Sequence, residues 1–148
     1  MLLRTFDVWA HEQDIRSALG RPGNLGSPAA SVFVNSVILQ LPRLVAKGAG
    51  LEPGHQVIID VTGPVMARVG VRVETDEQGR PRGRAMLSGD NVFPSDRQPD
   101  RETTTISLST EAFTRRAAGR RLVSSTACTV VGDEPIARRV LEALVVTF

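Results

Sequence analysis

The sequence predicts an α+β fold in which an antiparallel sheet packs against helices, and three observations carry that expectation. Apolar residues recur at helical spacing in the first third of the chain. From His55 the period switches to two, and after Ser109 helix and strand signals alternate to the end. With 148 residues, 41% of them hydrophobic, the chain has enough apolar surface for one ordinary core.

The first segment, Leu2 to Leu19, reads as a helix that stops at Gly20, with Pro22 and Gly23 just beyond. Ser27 and Pro28 supply an N-cap and a first-turn proline for a second helix, in which Val32, Phe33, Val37, Leu41 and Leu44 fall on helical spacing. Pro42 should kink or end it. Val57, Ile59 and Val61 alternate with polar or smaller positions. Past Gly63 and Pro64, the residues Val65, Ala67, Val69, Val71 and Val73 do the same, so the two runs form a hairpin with one buried face.

A turn at residues 76–81 leads to a strand near Arg84–Ser88, and the polar stretch from Gly89 to Glu102 reads as a loop. Thr103–Ser109 returns to strand with Thr104, Ile106 and Leu108 on one side. Ser109 caps a short helix over Thr110–Ala118, a strand covers Thr126–Val131, and Asp133 with Pro135 opens the last helix. The predicted order is α-α-β-β-β-β-α-β-α.

Composition narrows the function classes. Cys128 is the one cysteine, which excludes an internal disulfide and a thiolate metal cage. The net charge of +2 comes from scattered arginines, with Lys47 the single lysine, so no clustered patch for nucleic acid is expected. No apolar run approaches about 18 residues and the amino terminus lacks a signal-peptide pattern, which points to a cytoplasmic protein without a membrane partner.

The first helix carries the chemistry. At about 100° per residue, Asp7, His11, Asp14 and Ala18 share one stripe, flanked by Leu3 and Ala10 on one side and by Val8 and Ile15 on the other. Thr5, Glu12 and Arg16 lie opposite, as a solvent face. The stripe is therefore expected to point inward, where buried charges need partners or a metal. The i, i+4 spacing of Asp7 and His11 lets both reach one ion, although a structural Asp–His pair is a plainer use of the same residues. Trp9, with Leu2 and Phe6, forms a separate apolar flank suited to packing.

The run Arg4-Thr5-Phe6-Asp7-Val8-Trp9-Ala10-His11-Glu12-Gln13-Asp14-Ile15-Arg16, followed by Ala18-Leu19-Gly20-Arg21-Pro22-Gly23, resembles the last bundle helix and exit of the mycothiol-dependent maleylpyruvate isomerase family. Ile106-Ser107-Leu108-Ser109, Phe113, Ala118-Gly119-Arg120, and Val131-Gly132-Asp133 through Arg138-Arg139-Val140-Leu141 resemble the closing elements of that family's carboxyl-terminal domain. The resemblance implies a DinB-like metal-binding four-helix bundle followed by a sterol-carrier-protein-like α+β domain. On it, residues 1–20 correspond to the final bundle helix and residues 21–148 to the α+β domain. It also implies mycothiol and a divalent metal, normally zinc, held by a histidine from an early bundle helix and by a carboxylate and histidine that map onto Asp7 and His11. The founding isomerase is expected to place Glu where this chain has Asp7, and the early helices are not in this sequence. Asp14 would orient His11 from behind, and Arg120, beside Arg121, would help bind substrate or thiol.

Two readings of function follow. One is the carboxyl-terminal portion of a metal- and mycothiol-dependent isomerase or transferase, not catalytic alone. The other is a non-catalytic sterol-carrier-like module that binds an apolar small ligand, with Phe33, Leu41, Phe113 and Leu144 as candidate lining residues, or that mediates homo-oligomerisation. A separate helical bundle is a further candidate partner.

Overall fold

Side-chain caps start three of the four α-helices where the sequence places them. The computed structural model describes residues 2–86 and 103–146, with side chains from Thr5 onward. Helix α1 spans Leu2–Ala18 and α2 spans Pro28–Arg43, the latter opened by Ser27 Oγ, which accepts the Ala30 N–H at 3.2 Å. Ser109 and Asp133 cap α3 (Thr110–Ala117) and α4 (Glu134–Ala143) in the same way. Pro42 neither ends α2 nor passes without effect. The α-helix runs one residue past it and then opens into a π turn over Leu44–Gly48, where the Ala49 N–H reaches the Leu44 carbonyl at 2.7 Å. A wider turn is one way a helix absorbs a proline's missing donor and ring clash.

The strands are β1 (Gln56–Thr62), β2 (Ala67–Thr75), β3 (Pro81–Ala85), β4 (Thr103–Ser109) and β5 (Cys128–Val131). They form one sheet in the order β3-β2-β1-β4-β5. The fold is thus mixed α+β, a five-stranded sheet packed against four helices. The fully antiparallel sheet expected from the sequence needs correction: β1 pairs β4 in parallel, Ile59 opposite Ile106, while the other three pairings are antiparallel. Hairpin signals speak only for sequence neighbours. The β2–β3 hairpin extends one edge, and the chain returns on the other side of β1, where β4 enters in parallel instead of in the antiparallel sense of a Greek key.

Period-two patterning set the buried face correctly. Val57, Ile59 and Val61 of β1, Val69, Val71 and Val73 of β2, and Thr104, Ile106 and Leu108 of β4 all face the core. The strand expected at 84–88 begins earlier, at Pro81. Its residues from 87 on, with the expected loop at 89–102, lie outside the described residues. The expected strand over 126–131 is shorter and is preceded by a 3-10 turn at Val123–Ser125.

By length and composition the stretch Pro28–Gly48 passes as a membrane-crossing helix, which the residue-run count missed. Its apolarity has a core explanation: Phe33, Val34, Val37, Leu41 and Val45 are almost wholly buried. Phe113 and Leu144 are equally buried. Phe33, Leu41, Phe113 and Leu144 are all buried in this interior.

Candidate functional site

Helix α1 lies outside α2 and is held by the apolar flank that contains its tryptophan. Phe6 meets Phe33 edge-on at 6.2 Å between ring centroids, and Trp9 meets the same ring at 5.5 Å. Trp9 Nε1 donates to the Asn24 carbonyl at 3.2 Å, so its polar edge is also used. Burying two such aromatics contributes roughly 1.5–3 kcal/mol each.

That docking reverses the orientation expected for the polar stripe. Phe6, Trp9 and Gln13 face the protein, whereas Asp7 and His11 face solvent, with side chains 70% and 60% exposed. Val8 and Ile15 are exposed too, at 67% and 61%. The physical reason is area: two aromatic rings bury more apolar surface than Val8 and Ile15 and decide which side turns in. Glu12 and Arg16, expected on the solvent face, are half-buried. They pair at 2.8 Å, and Glu12 also accepts both Asn24 side-chain hydrogen bonds, at 2.9 and 2.7 Å.

The outward face nonetheless brings together Asp7, His11, Asp14 and Arg120. Asp7 Oδ1 lies 3.3 Å from His11 Nε2, and the opposite ring nitrogen, Nδ1, lies 3.6 Å from Asp14 Oδ2. Arg120 Nε donates to Asp14 Oδ2 at 3.0 Å. Arg115, which the sequence reading missed, donates to the other oxygen of Asp14. Burial works against the Asp14 charge, but the hydrogen bonds from Arg115 and Arg120 outweigh it and hold the carboxyl below its usual value. Asp14 thus links α1 to α3 and the turn after it. Arg121, the neighbour considered beside Arg120, instead reaches Glu111 at 2.7 Å.

A tetrahedral ion with bonds of about 2.0–2.2 Å to nitrogen and oxygen separates two donors by about 3.4 Å. Asp7 and His11 already stand at that edge length. A carboxylate behind the far nitrogen of a ligating histidine is the usual arrangement for fixing its tautomer, and Asp14 stands on that side, though beyond direct hydrogen-bond distance. The separation is equally that of an Asp–His ion pair, and these two residues supply two donors at most. Among the described residues, no group of three His, Cys, Asp or Glu side chains is placed to hold an ion. The other histidine, His55, directs Nδ1 to the Glu52 carbonyl at 2.9 Å.

Comparison of the chain with family models, curated proteins and solved structures gives no match. The site is therefore argued from its own geometry.

A second concavity, of about 560 Å³, lies between β5, the 3-10 turn and α4, with Val123, Val130, Ala137 and Leu141 among its walls and exposed Cys128 at its side.

Proposed function

We propose that this chain is the carboxyl-terminal portion of a metal- and thiol-dependent isomerase or transferase of the kind the mycothiol-dependent maleylpyruvate isomerases represent, and that it is not catalytic alone. The observation that supports this is the array on the outer face of α1: Asp7 and His11 at a ligand-ligand separation, with Asp14 behind the imidazole. A divalent metal such as zinc, when bound there, would lower the pKa of a coordinated thiol so that a thiolate is present for addition to an electrophilic double bond. Two donors do not hold a catalytic zinc, which needs about three plus an open position, so another helix must contribute.

Within this reading Arg120 has a task different from the one its resemblance implies. Its guanidinium is already engaged by Asp14, so it sets the position of the Asp14 carboxylate, and it would meet a substrate carboxylate only by giving up that pairing. A cytoplasmic location belongs to the same reading, as does the sterol-carrier-like description of the domain.

The test is metal uptake and turnover. With that added helix present, the chain should bind zinc through Asp7 and His11 by calorimetry. Supplied with a histidine-bearing helical bundle, mycothiol and maleylpyruvate, it should support isomerisation. Absence of both would end this reading.

The groove beside α4 favours one second reading, a non-catalytic module for an apolar small ligand. Fatty acids or sterols that raise the melting temperature of the wild-type chain but not of Val130→Glu would support it. An unchanged melting temperature with every ligand would remove it.

A further inference from the structure

We propose that the free edge of β5 and the groove beside α4 together receive an extended segment of another polypeptide, with aliphatic side chains at alternate positions, which adds to the sheet as a sixth strand. The proposal uses the groove of the second reading above and assigns it a peptide in place of a fatty acid or sterol.

The backbone is the first argument. β5 is an end strand: it pairs with β4 on one side, and among the described residues no backbone hydrogen bond reaches its other side. Half of its N–H and C=O groups therefore face outward, in position to pair with an added strand.

The sequence treats the two edges of the sheet differently. β3 reads Pro81-Arg82-Gly83-Arg84-Ala85, and a proline and two charges guard it against pairing. β5 reads Cys128-Thr129-Val130-Val131, with no charge, proline or glycine and with strand-favouring residues. Val131 is 66% exposed, and Leu122, next to the 3-10 turn, is 72% exposed. An unguarded apolar edge is a hazard when left bare, and an occupant accounts for it.

The groove supplies selectivity. Val130 and Cys128 lie opposite Ile106 and Leu108, which face the core, so they too point to the helix side. α4 packs mainly on β4 and covers only the flank of β5, which leaves a space of about 560 Å³ over them. A strand added at this edge projects every second side chain toward that space. Glu134 and Arg138 at its wall are of opposite sign, so apolar contact decides what enters.

Size decides between a peptide and a second copy. Four residues of strand are about 14 Å long, and a sheet with its helix layer is about 20 Å deep, so edge-to-edge pairing of two copies buries roughly 600 Å² in all. Stable interfaces exceed about 1,000 Å². The α4 helices of two such copies would also stand about 14 Å apart, three strand spacings, whereas packed helices approach to about 8–10 Å. The groove would stay open. A single extended segment brings no helix layer of its own, takes main-chain bonds from the edge and fills the groove with side chains.

Amide NMR on the full chain tests this, with acetyl-Lys-Val-Thr-Val-Thr-Val-Lys-amide as the probe, its end lysines added for solubility. Titration should shift the amides of Cys128–Val131, Val123, Ser124 and the first turn of α4, and slow exchange at the β5 amides that point outward. Two versions of the peptide, N-methylated at alternate residues in either phase, test the main chain on unaltered protein. One phase should weaken binding about tenfold and the other should not. Val130→Glu should weaken it by a similar factor with unchanged circular dichroism. No shifts with millimolar peptide would overturn the proposal, as would equal binding by both methylated peptides. A melting temperature raised by palmitate with no response to the peptide would overturn it and leave the small-ligand reading standing. A peptide-free chain that dimerises with its β5 amides protected would overturn it in favour of a second copy.

Discussion

Gly83 on β3 lies against the backbone of Pro42 near the end of α2, so close that a Cβ built on it falls 2.0 Å from the Pro42 carbonyl oxygen and 2.6 Å from its carbon. The contact is backbone to backbone, with no flexible side chain to move aside. It seats α2 on the edge of the sheet.

Gly83→Ala should therefore cost about 2–4 kcal/mol of unfolding free energy, because either the strand or the helix end must shift. Urea denaturation of the purified variant checks this. Gly79→Ala, at a turn position where an added Cβ meets nothing within 4 Å, is the control. It should lose only the strain of its positive φ, about 1 kcal/mol.

Arg116 is a buried cation whose hydrogen bonds all go to carbonyls: Nε to Leu141 at 2.7 Å, Nη1 to Arg121 at 2.6 Å and Nη2 to Glu142 at 3.0 Å. Burial pushes its pKa down and Glu142 opposes that shift. The carbonyls at the end of α4 need donors. Arg116→Ala should destabilise by about 3 kcal/mol, and Arg116→Lys should recover part of that loss. Chemical denaturation of the two variants gives the comparison.

Thr110 is fully buried, and its hydroxyl accepts the Val65 N–H at 3.1 Å while donating to the carbonyl of Thr62 or Val65. Thr110→Val keeps the shape and removes both bonds, leaving an amide without its acceptor. The expected loss is about 1–2 kcal/mol, with faster amide exchange at Val65 by hydrogen-exchange NMR as its local signature.

Asp14 gives a pH dependence of defined sign. Its folded pKa is depressed, so its contribution is present above the unfolded value near 3.8 and fades as pH falls through the folded value. Asp14→Asn should lower stability by about 1 kcal/mol at pH 7. As the pH drops below 4 the difference from wild type should shrink toward zero, because both side chains are then uncharged. Parallel urea titrations at several pH values measure it.

Which parts were legible follows from which signals are local. Ser27, Ser109 and Asp133 act within three residues of themselves, and all three caps are where the sequence places them. Strand alternation is equally local, so Val57, Ile59, Val61, Ile106 and Leu108 face the core as predicted. The parallel pairing of β1 with β4 was not legible, because nothing in either strand encodes which distant neighbour it meets. The site divides the same way. Asp7, His11 and Asp14 share one helix, and their convergence follows from helical spacing. Arg115 belongs to a helix a hundred residues downstream, and tandem Arg115-Arg116 gives no sign that one reaches Asp14 while the other turns inward. The helix's direction was misjudged because the apolar weight of Phe6 and Trp9 was assigned to a flank when it belonged to the contact.

The parallel partnership at the centre of the sheet also has a kinetic consequence. Ile59 and Ile106 sit side by side in the middle of the molecule, yet the whole β2–β3 excursion separates them along the chain. The β1–β2 hairpin can zip early, since its ends are tethered by a short turn, but the central seam forms only after a long loop has closed. Assembly should thus slow at that closure, and substitutions such as Ile106→Val that weaken the seam should report on the rate-limiting step in stopped-flow refolding.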